Sequence, residues 1–388
     1  MLASRLPAVM CLVLSLLFAP ALPAAELNDG IDRSDPNFVK ASLIVVGPGN
    51  DFFGCAGHSS LRLECPTFKL DNCFSCETES IRENFGRFLM GGLKMGMFAI
   101  PTQDFVKLYE KGGRRVTQYP LTLPPDVKQR LWKIMDEQVA AGRSLPYDYI
   151  KFCCVQTVLQ PILEACRPYE VKFPAWSVRY EMTRRELLAE NLAWCPWTRL
   201  VLHTIAGTEV DEKVSPPKTV ILSPDLLELL RGTKVLGRSI VEGEGVVLQP
   251  HQAPTERGAF TPLVAALVLL GISIANFFLK TPWIDSALLV LQSVLGLLMT
   301  HLLCLSHLPA TTWNWLVVPF NLLPLVFWKW RRLWAGWFAG VLLVWDLFVL
   351  CHPHQVTDST YLVVVLAYVV LYCKISVKPF LEEKGLFK

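Results

Sequence analysis

The sequence predicts an α+β domain carried outside the cytoplasm, followed by an all-α membrane domain of about five transmembrane helices. Three observations predict it. Residues 1–25 have the make-up of a secretory signal, residues 26–257 mix strand and helix patterns, and residues 258–388 hold five apolar segments. Composition agrees. The 388 residues are 52% hydrophobic and only 18% charged, against about 25% charged in an average soluble domain. Mean hydropathy is +0.36. With 37 basic and 34 acidic residues the net charge is +3, so no basic surface of the kind that drives nucleic-acid binding is expected. The apolar content excludes a disordered chain.

The leader opens with Arg5, continues with an apolar core from Val9 to Ala19, and ends in Pro20-Ala-Leu-Pro-Ala-Ala25, small enough for cleavage near Ala24 or Ala25. An uncleaved anchor helix is the other reading of this pattern. Either way the following segment lies outside the cytoplasm. Within it, Val39–Val46 is apolar and β-branched, hence a strand. Gly47–Asp51 is a loop, and Ser59–Leu63 alternates as a second strand. Pro125–Ala140 places Val127, Leu131, Ile134, Met135 and Val139 at helical spacing. Cys154–Leu163 reads as another helix. Thr183–Leu192 reads as a third, opened by a capping box of Thr183 with Glu186. Gly232–Arg257 reads as a linker or loose hairpin.

The apolar segments of the last third fall at about 261–279, 284–306, 313–328, 333–350 and 359–373. Most approach the roughly 20 residues a bilayer requires, and the third and fifth are short. If the globular part is outside, the loops expected inside carry Lys280, then Lys329, Arg331 and Arg332, then Lys374, Lys378, Lys384 and Lys388. The loops expected outside, 307–312 and 351–359, carry no Lys or Arg. This is the positive-inside pattern. It favours five spans with the tail inside, and a re-entrant third segment is the alternative. His307, Asn314, His352, His354 and Asp358 then share the outer face with the globular domain. There they either line a lipid-headgroup site or form ordinary interfacial loops.

Eight cysteines lie in the exported part: Cys55, Cys65, Cys73, Cys76, Cys153, Cys154, Cys166 and Cys195. An oxidising compartment favours disulfides, although eight thiols leave the pairing undetermined. Cys65, Cys73 and Cys76 sit in a loop-like stretch suited to a bridge. Cys73-x-x-Cys76 is alternatively a redox or metal pair, although zinc would want two more matched ligands. The sharpest chemical signal joins two segments. In Phe53-Gly-Cys-Ala-Gly-His58-Ser-Ser-Leu-Arg62 a histidine ends a Gly-containing loop and begins a strand. In Tyr147-Asp-Tyr-Ile-Lys-Phe-Cys-Cys154 a cysteine begins a helix, where the dipole lowers a thiol pKa. Brought together, His58 and Cys154 would form a thiolate–imidazole pair. A structural role for either residue is the competing reading.

These segments resemble the Lnb family of bacterial lipoprotein N-acyltransferases, which join an N-terminal periplasmic domain to a C-terminal membrane domain. Phe-Gly-x-x-Gly-His58-Ser-x-Leu-Arg62 resembles the family's FGHSxLR with two extra residues. Phe88-x-x-Gly-Gly-Leu-Lys-x-Gly-Met resembles its Gly-containing hairpin, and Tyr109 with Arg114-Arg-Val116 and Leu121-Thr-Leu its Tyr…Arg-x-Val…Leu-x-Leu segment. Tyr147-Asp148-Tyr149 with Cys154 resembles YDYFxDNC. In the membrane part, His307-Leu-Pro309, Asn314 and Pro319-Phe-Asn321-Leu-Leu resemble HP…N…NPLNLL. The likeness spans about residues 40–330. The family's Asp-Asn before the cysteine is Phe152-Cys153 here, so Cys153 either replaces or shields Cys154, and a bridge from Cys55 to either would silence the site.

The resemblance implies a permuted papain-like fold, related to NlpC/P60 proteins, with His before Cys. It implies a cysteine-dependent enzyme of the bacterial inner membrane whose globular domain faces the periplasm. Cys154 and His58 would be catalytic, with Ser60, Arg62, Tyr147, Asp148 and Cys153 in support, and His307, Asn314 and Asn321 toward the substrate. The partners would be a phospholipid acyl donor and a diacylated lipoprotein acceptor, joined through a thioester without a cofactor or metal. Two alternatives stand beside it: a membrane-tethered cysteine hydrolase acting on cell-wall peptides or acyl esters, and a disulfide-bonded, non-catalytic envelope protein.

Overall fold

Leu43 and Ile44 are adjacent on one strand and both fully buried, because that strand is covered on its two faces. The computed structural model describes residues 32–50, 54–81, 83–142, 144–148, 153–175, 181–215, 220–250, 260–279, 281–351 and 358–385. The signal segment, Phe53, Tyr149, Phe152, Lys280, His352, His354 and Lys388 lie outside the described residues.

The strands are β1 (Lys40–Val46), β2 (His58–Cys65), β3 (Leu70–Thr78), β4 (Lys94–Pro101), β5 (Val116–Pro120), β6 (Leu145–Pro146), β7 (Val171–Lys172), β8 (Lys234–Val235), β9 (Arg238–Ser239) and β10 (Val246–Gln249). Seven of them form one antiparallel sheet in the order β10-β5-β1-β2-β3-β4-β6. The other three make a small sheet, β7-β8-β9. The helices of this domain are α1 (Phe85–Leu89), α2 (Thr102–Glu110), α3 (Pro125–Ala140), α4 (Cys154–Ala165), α5 (Arg184–Asn191), α6 (Pro196–Ile205) and α7 (Ser223–Gly232).

Period-two alternation divides the two cores. Leu43, Leu61, Leu63 and Phe74 face α3, α4 and α7, which contribute Leu131, Leu159 and Leu229. Ile44, Val46, Cys73 and Val116 face the other way, onto Phe105 of α2. Each such side chain adds roughly 1.5–3 kcal/mol on full burial. The capping box is present: Thr183 Oγ1 accepts from the Glu186 N–H at 3.2 Å, and Glu186 accepts from the Thr183 N–H at 2.7 Å.

Two expectations are corrected. The stretch containing Cys73 and Cys76 is strand, not loop, and residues three apart on a strand point to opposite faces. They therefore cannot bridge each other, and Cys65, Cys73 and Cys76 are unbonded thiols. The stretch from Gly232 is more than a linker. It supplies the β8–β9 hairpin and then β10, which closes the sheet edge beside β5.

Among the described residues the last third has four long helices: α8 (Pro262–Phe278), α9 (Pro282–Cys304), α11 (Arg331–Cys351) and α12 (Thr360–Glu383). Among the described residues three apolar helices are long enough to cross a membrane, and α8 is shorter. The third expected span is not one helix. It contains single turns at Trp315–Val317 and Trp328–Trp330 and a four-residue helix, α10 (Leu323–Val326). Pro319 and Pro324 supply no N–H and break the helical ladder. The exposed carbonyls find side chains instead. Gln292 Nε2 donates to Pro319 O at 2.7 Å, Asn321 Nδ2 to Val318 O at 2.6 Å, and Trp345 Nε1 to Trp315 O at 3.0 Å. Irregular backbone is tolerated at membrane depth only when buried and satisfied in this way. The segment begins at Asn314, against the globular domain, and ends where Arg331 opens α11.

The two parts share one core, in which Phe88, Leu93 and Ile205 pack with Leu308, Leu316 and Tyr361. Backbone bonds cross the seam: His307 N–H to Met90 O at 3.0 Å and Gly207 N–H to Ala310 O at 2.6 Å. Arg199 pairs with Asp358 at 3.2 Å.

Candidate active site

The His58 loop is built by a turn at Gly54–Ala56 followed by Gly57 at φ +81°. A Cβ on Gly57 would stand 2.9 Å from the Val46 carbonyl, so only glycine reverses the chain here. His58 then opens β2, the central strand of the sheet, opposite Val46 of β1. Cys154 opens α4, whose buried face packs on the sheet. The helix N-terminus and the first residue of β2 thereby meet.

The contact is electrostatic as well as steric. Burial opposes charge on both groups, yet the His58 imidazole hydrogen-bonds the Cys154 sulfur and the two stabilise each other's ions. The Ser59 backbone N–H adds a further bond to that sulfur. The result is a Cys154 thiol held below its ordinary value and a His58 imidazole held above its own, which is the signature of an activated nucleophile.

The other ring nitrogen is anchored. His58 Nε2 lies 2.8 Å from Ser75 Oγ, and Ser75 donates its own proton to Glu77 Oε1 at 2.6 Å. Ser75 must therefore accept from Nε2–H, which leaves Nδ1 as the nitrogen that serves the thiol. Glu77 stands 3.8 Å from Nε2 and adds its charge. The Tyr109 ring sits 6.1 Å from the imidazole, centroid to centroid.

Cys153 is placed differently. Burial and the neighbouring Cys154 sulfur push its thiol up to about 12, and the Gln156 and Val155 N–H groups do not offset them. Cys55 is buried, packs with Leu192 and Cys195, and is an unbonded thiol. Cys153 and Cys154 are both unbonded.

His58 and Cys154 open into a cavity of about 340 Å³. Its walls include Met95, Leu188, Leu202, Ile205 and Leu222. Of the expected supporting residues, Tyr147 and Cys153 line this cavity. Ser60, Arg62 and Asp148 do not. The Ser60 hydroxyl donates to Phe74 O at 2.9 Å. Arg62 is held by both Asp71 oxygens at 2.8 Å and by Gln118 at 2.6 Å. The expected membrane-side residues are also spent elsewhere. Asn314 donates to Thr204 O at 2.7 Å and accepts from the Leu316 N–H at 3.0 Å. Asn321 Oδ1 accepts from the Leu323 N–H at 2.8 Å, its amide being on Val318 O. The His307 backbone holds Met90. Asn314 and His307 tie the membrane part to the globular part, Asn321 closes a turn within the membrane segment, and none of the three lines the cavity. The sequence does not single out Ser75 and Glu77, because their place beside His58 depends on the pairing of β3 with β2. The i, i+2 pair Ser75/Glu77 beside the His58 strand was the available signal.

This geometry meets one sequence match. Residues 28–188 match the model of the Lnb N-terminal periplasmic domain family. The matched stretch contains both His58 and Cys154 and ends before the membrane helices. A search of curated proteins and a search of solved structures returned no match. The Lnb domain and the apolar helices together make this a membrane protein with a periplasmic domain.

Proposed function

We propose that this protein is a cysteine-dependent lipoprotein N-acyltransferase of the bacterial inner membrane, built on a permuted papain-like domain. It would move an acyl chain from a phospholipid, through a thioester on Cys154, to the α-amine of a diacylglyceryl-cysteine. The observation that carries this reading is the Cys154–His58 pair, opening into an apolar cavity whose wall includes α6, the helix seated on the membrane domain. The Lnb domain supports the same reaction class.

The groups present can balance each step. The Cys154 thiolate attacks the ester carbonyl carbon, and the charge moves to its oxygen. The first N–H groups of α4 are the available donors for that oxyanion. As the C–O bond breaks, the His58 imidazolium gives its proton to the lysophospholipid oxygen. The lipoprotein amine then attacks the thioester and loses a proton to neutral His58, and the C–S bond breaks to restore the thiolate–imidazolium pair. No ATP is needed, because the ester supplies the acyl group. An apolar cavity limits the water that would hydrolyse the thioester.

The test is an acyl-enzyme trap. Detergent-purified protein given phospholipid alone should gain one acyl mass that hydroxylamine removes. Cys154→Ala and His58→Ala should abolish it, and a diacylated lipopeptide should discharge it as an N-acyl product. Discharge to free acid in the presence of lipopeptide would make the protein a hydrolase instead.

A further inference from the structure

Arg114 is a buried cation without an anion. Its side chain is 9% exposed, and it lines the cavity that holds His58 and Cys154. Nε donates to the neutral Gly47 carbonyl at 2.9 Å, and the guanidinium stacks 4.8 Å from the Tyr109 ring centroid. Nη2 is buried with no hydrogen-bond partner. Among the described residues no carboxylate lies within ion-pair distance of it. The other buried arginines differ: Arg184 has Glu212 and Arg185 has Asp211, and the half-buried Arg62 has Asp71. A buried, unpaired guanidinium carries a desolvation cost that folding does not recover. It persists where a ligand supplies the missing charge. Arg114 is also close enough to His58 for its charge to oppose protonation of the imidazole, and an anion bound to it would relieve that opposition.

Given the acyl-transfer reading, the anion is identified by chemistry. A glycerophospholipid carries its phosphodiester only a few bonds from its acyl esters. A diester phosphate presents oxygens that a guanidinium binds well. We propose that Arg114 is the phosphate-binding residue of the acyl-donor site, holding the phosphodiester of a glycerophospholipid while its ester reaches Cys154. The donor is then selected by charge, and a neutral glyceride with the same acyl chains is a poor one.

The experiment reads binding, so it does not depend on turnover. Full-length Cys154→Ala protein in detergent is titrated with dihexanoyl-phosphatidylglycerol, with dihexanoylglycerol and with inorganic phosphate. The expected result is a preference of at least about tenfold for the phospholipid over the glyceride. Arg114→Gln on the same background should collapse that ratio toward one, and Arg114→Lys, which keeps a point charge, should retain part of it. Equal binding of the two lipids by the parent protein overturns the proposal. So does a ratio unchanged by Arg114→Gln, or inorganic phosphate binding as tightly as the phospholipid. Should Arg114→Gln fail to fold, the Arg114→Lys ratio decides. A phospholipid preference lost with Arg114 but unaccompanied by any N-acyl product would leave this site standing and overturn the transferase reading alone.

Discussion

Ser75 stands between His58 and Glu77, accepting from the imidazole at 2.8 Å and donating to the carboxylate at 2.6 Å. This orients the ring and, through Glu77, favours its protonated form. Ser75→Ala and Glu77→Gln should each lower kcat on a soluble ester by about 10- to 100-fold while KM changes little. The pH profile gives the sign. Glu77 raises the His58 pKa, so its loss lowers that pKa, and the alkaline limb, where the imidazolium is lost, should move to lower pH. A profile that keeps its shape in Glu77→Gln would show that the carboxylate does not reach the imidazole.

Cys154 and Cys153 are neighbours with opposite reactivity. Burial alone would raise both thiols. At Cys154 the His58 charge and the Ser59 N–H overcome it, whereas Cys153 is pushed up to about 12. Iodoacetamide at neutral pH should therefore label Cys154 first. Labelling should persist below the pH at which an ordinary thiol falls silent. His58→Ala leaves only the Ser59 N–H against burial and should slow labelling by about 10²-fold or more. Peptide mapping after brief alkylation checks both. Preferential labelling of Cys153 would overturn the assignment of the nucleophile.

The sequence made helix α3 legible to the residue, because five apolar side chains repeat at helical spacing between Pro125 and Ala140. His58 and Cys154 were legible because each begins an element, after a glycine turn in one case and at a helix start in the other. Ser75 and Glu77 were not, because their role depends on which strand pairs with β2, and pairing is non-local. The broken segment at 313–328 resembles a helical span in sequence because apolar content, not backbone geometry, dominates a hydropathy window. Pro319 and Pro324 were the local warning. Asn314 and Asn321 invite a substrate role only until their partners are seen, since capping uses the same amide that would bind a ligand.

His203 should make the fold acid-sensitive. It is buried in the cavity wall. Burial, together with the Arg185 and Arg199 charges, depresses it to about 4 from an ordinary 6.5, against a smaller opposing pull from Asp358. The folded state thus keeps His203 neutral while the unfolded chain protonates it below pH 6.5. Its contribution is complete above that value and is lost as the pH falls toward 4. At about 1.4 kcal/mol per pH unit the loss is of order 3 kcal/mol across this window. His203→Gln should flatten the decline of the melting temperature in detergent between pH 6.5 and 4. An unchanged decline would place the acid sensitivity in other groups.

Gly207 separates lipid delivery from thiol chemistry. Its N–H donates to Ala310 O at 2.6 Å, and a Cβ there would lie 1.9 Å from the Thr312 carbonyl oxygen. Both partners are backbone on the membrane side of the seam, so neither can yield by changing rotamer. Gly207→Ala must push the seam apart, at about 1–3 kcal/mol for a clash of this kind. The reactive pair stands on β2 and α4, whose core is formed by other residues. Alkylation of Cys154 and turnover of a soluble ester should therefore stay near the parent rate. Acylation from phospholipid should fall at least about tenfold, because the wall formed by Ile205 and Ala206 shifts away from the membrane helices. Equal loss on both substrates would mean that the seam supports the reactive pair itself. Loss on neither would mean that the membrane helices anchor the domain without presenting lipid to it.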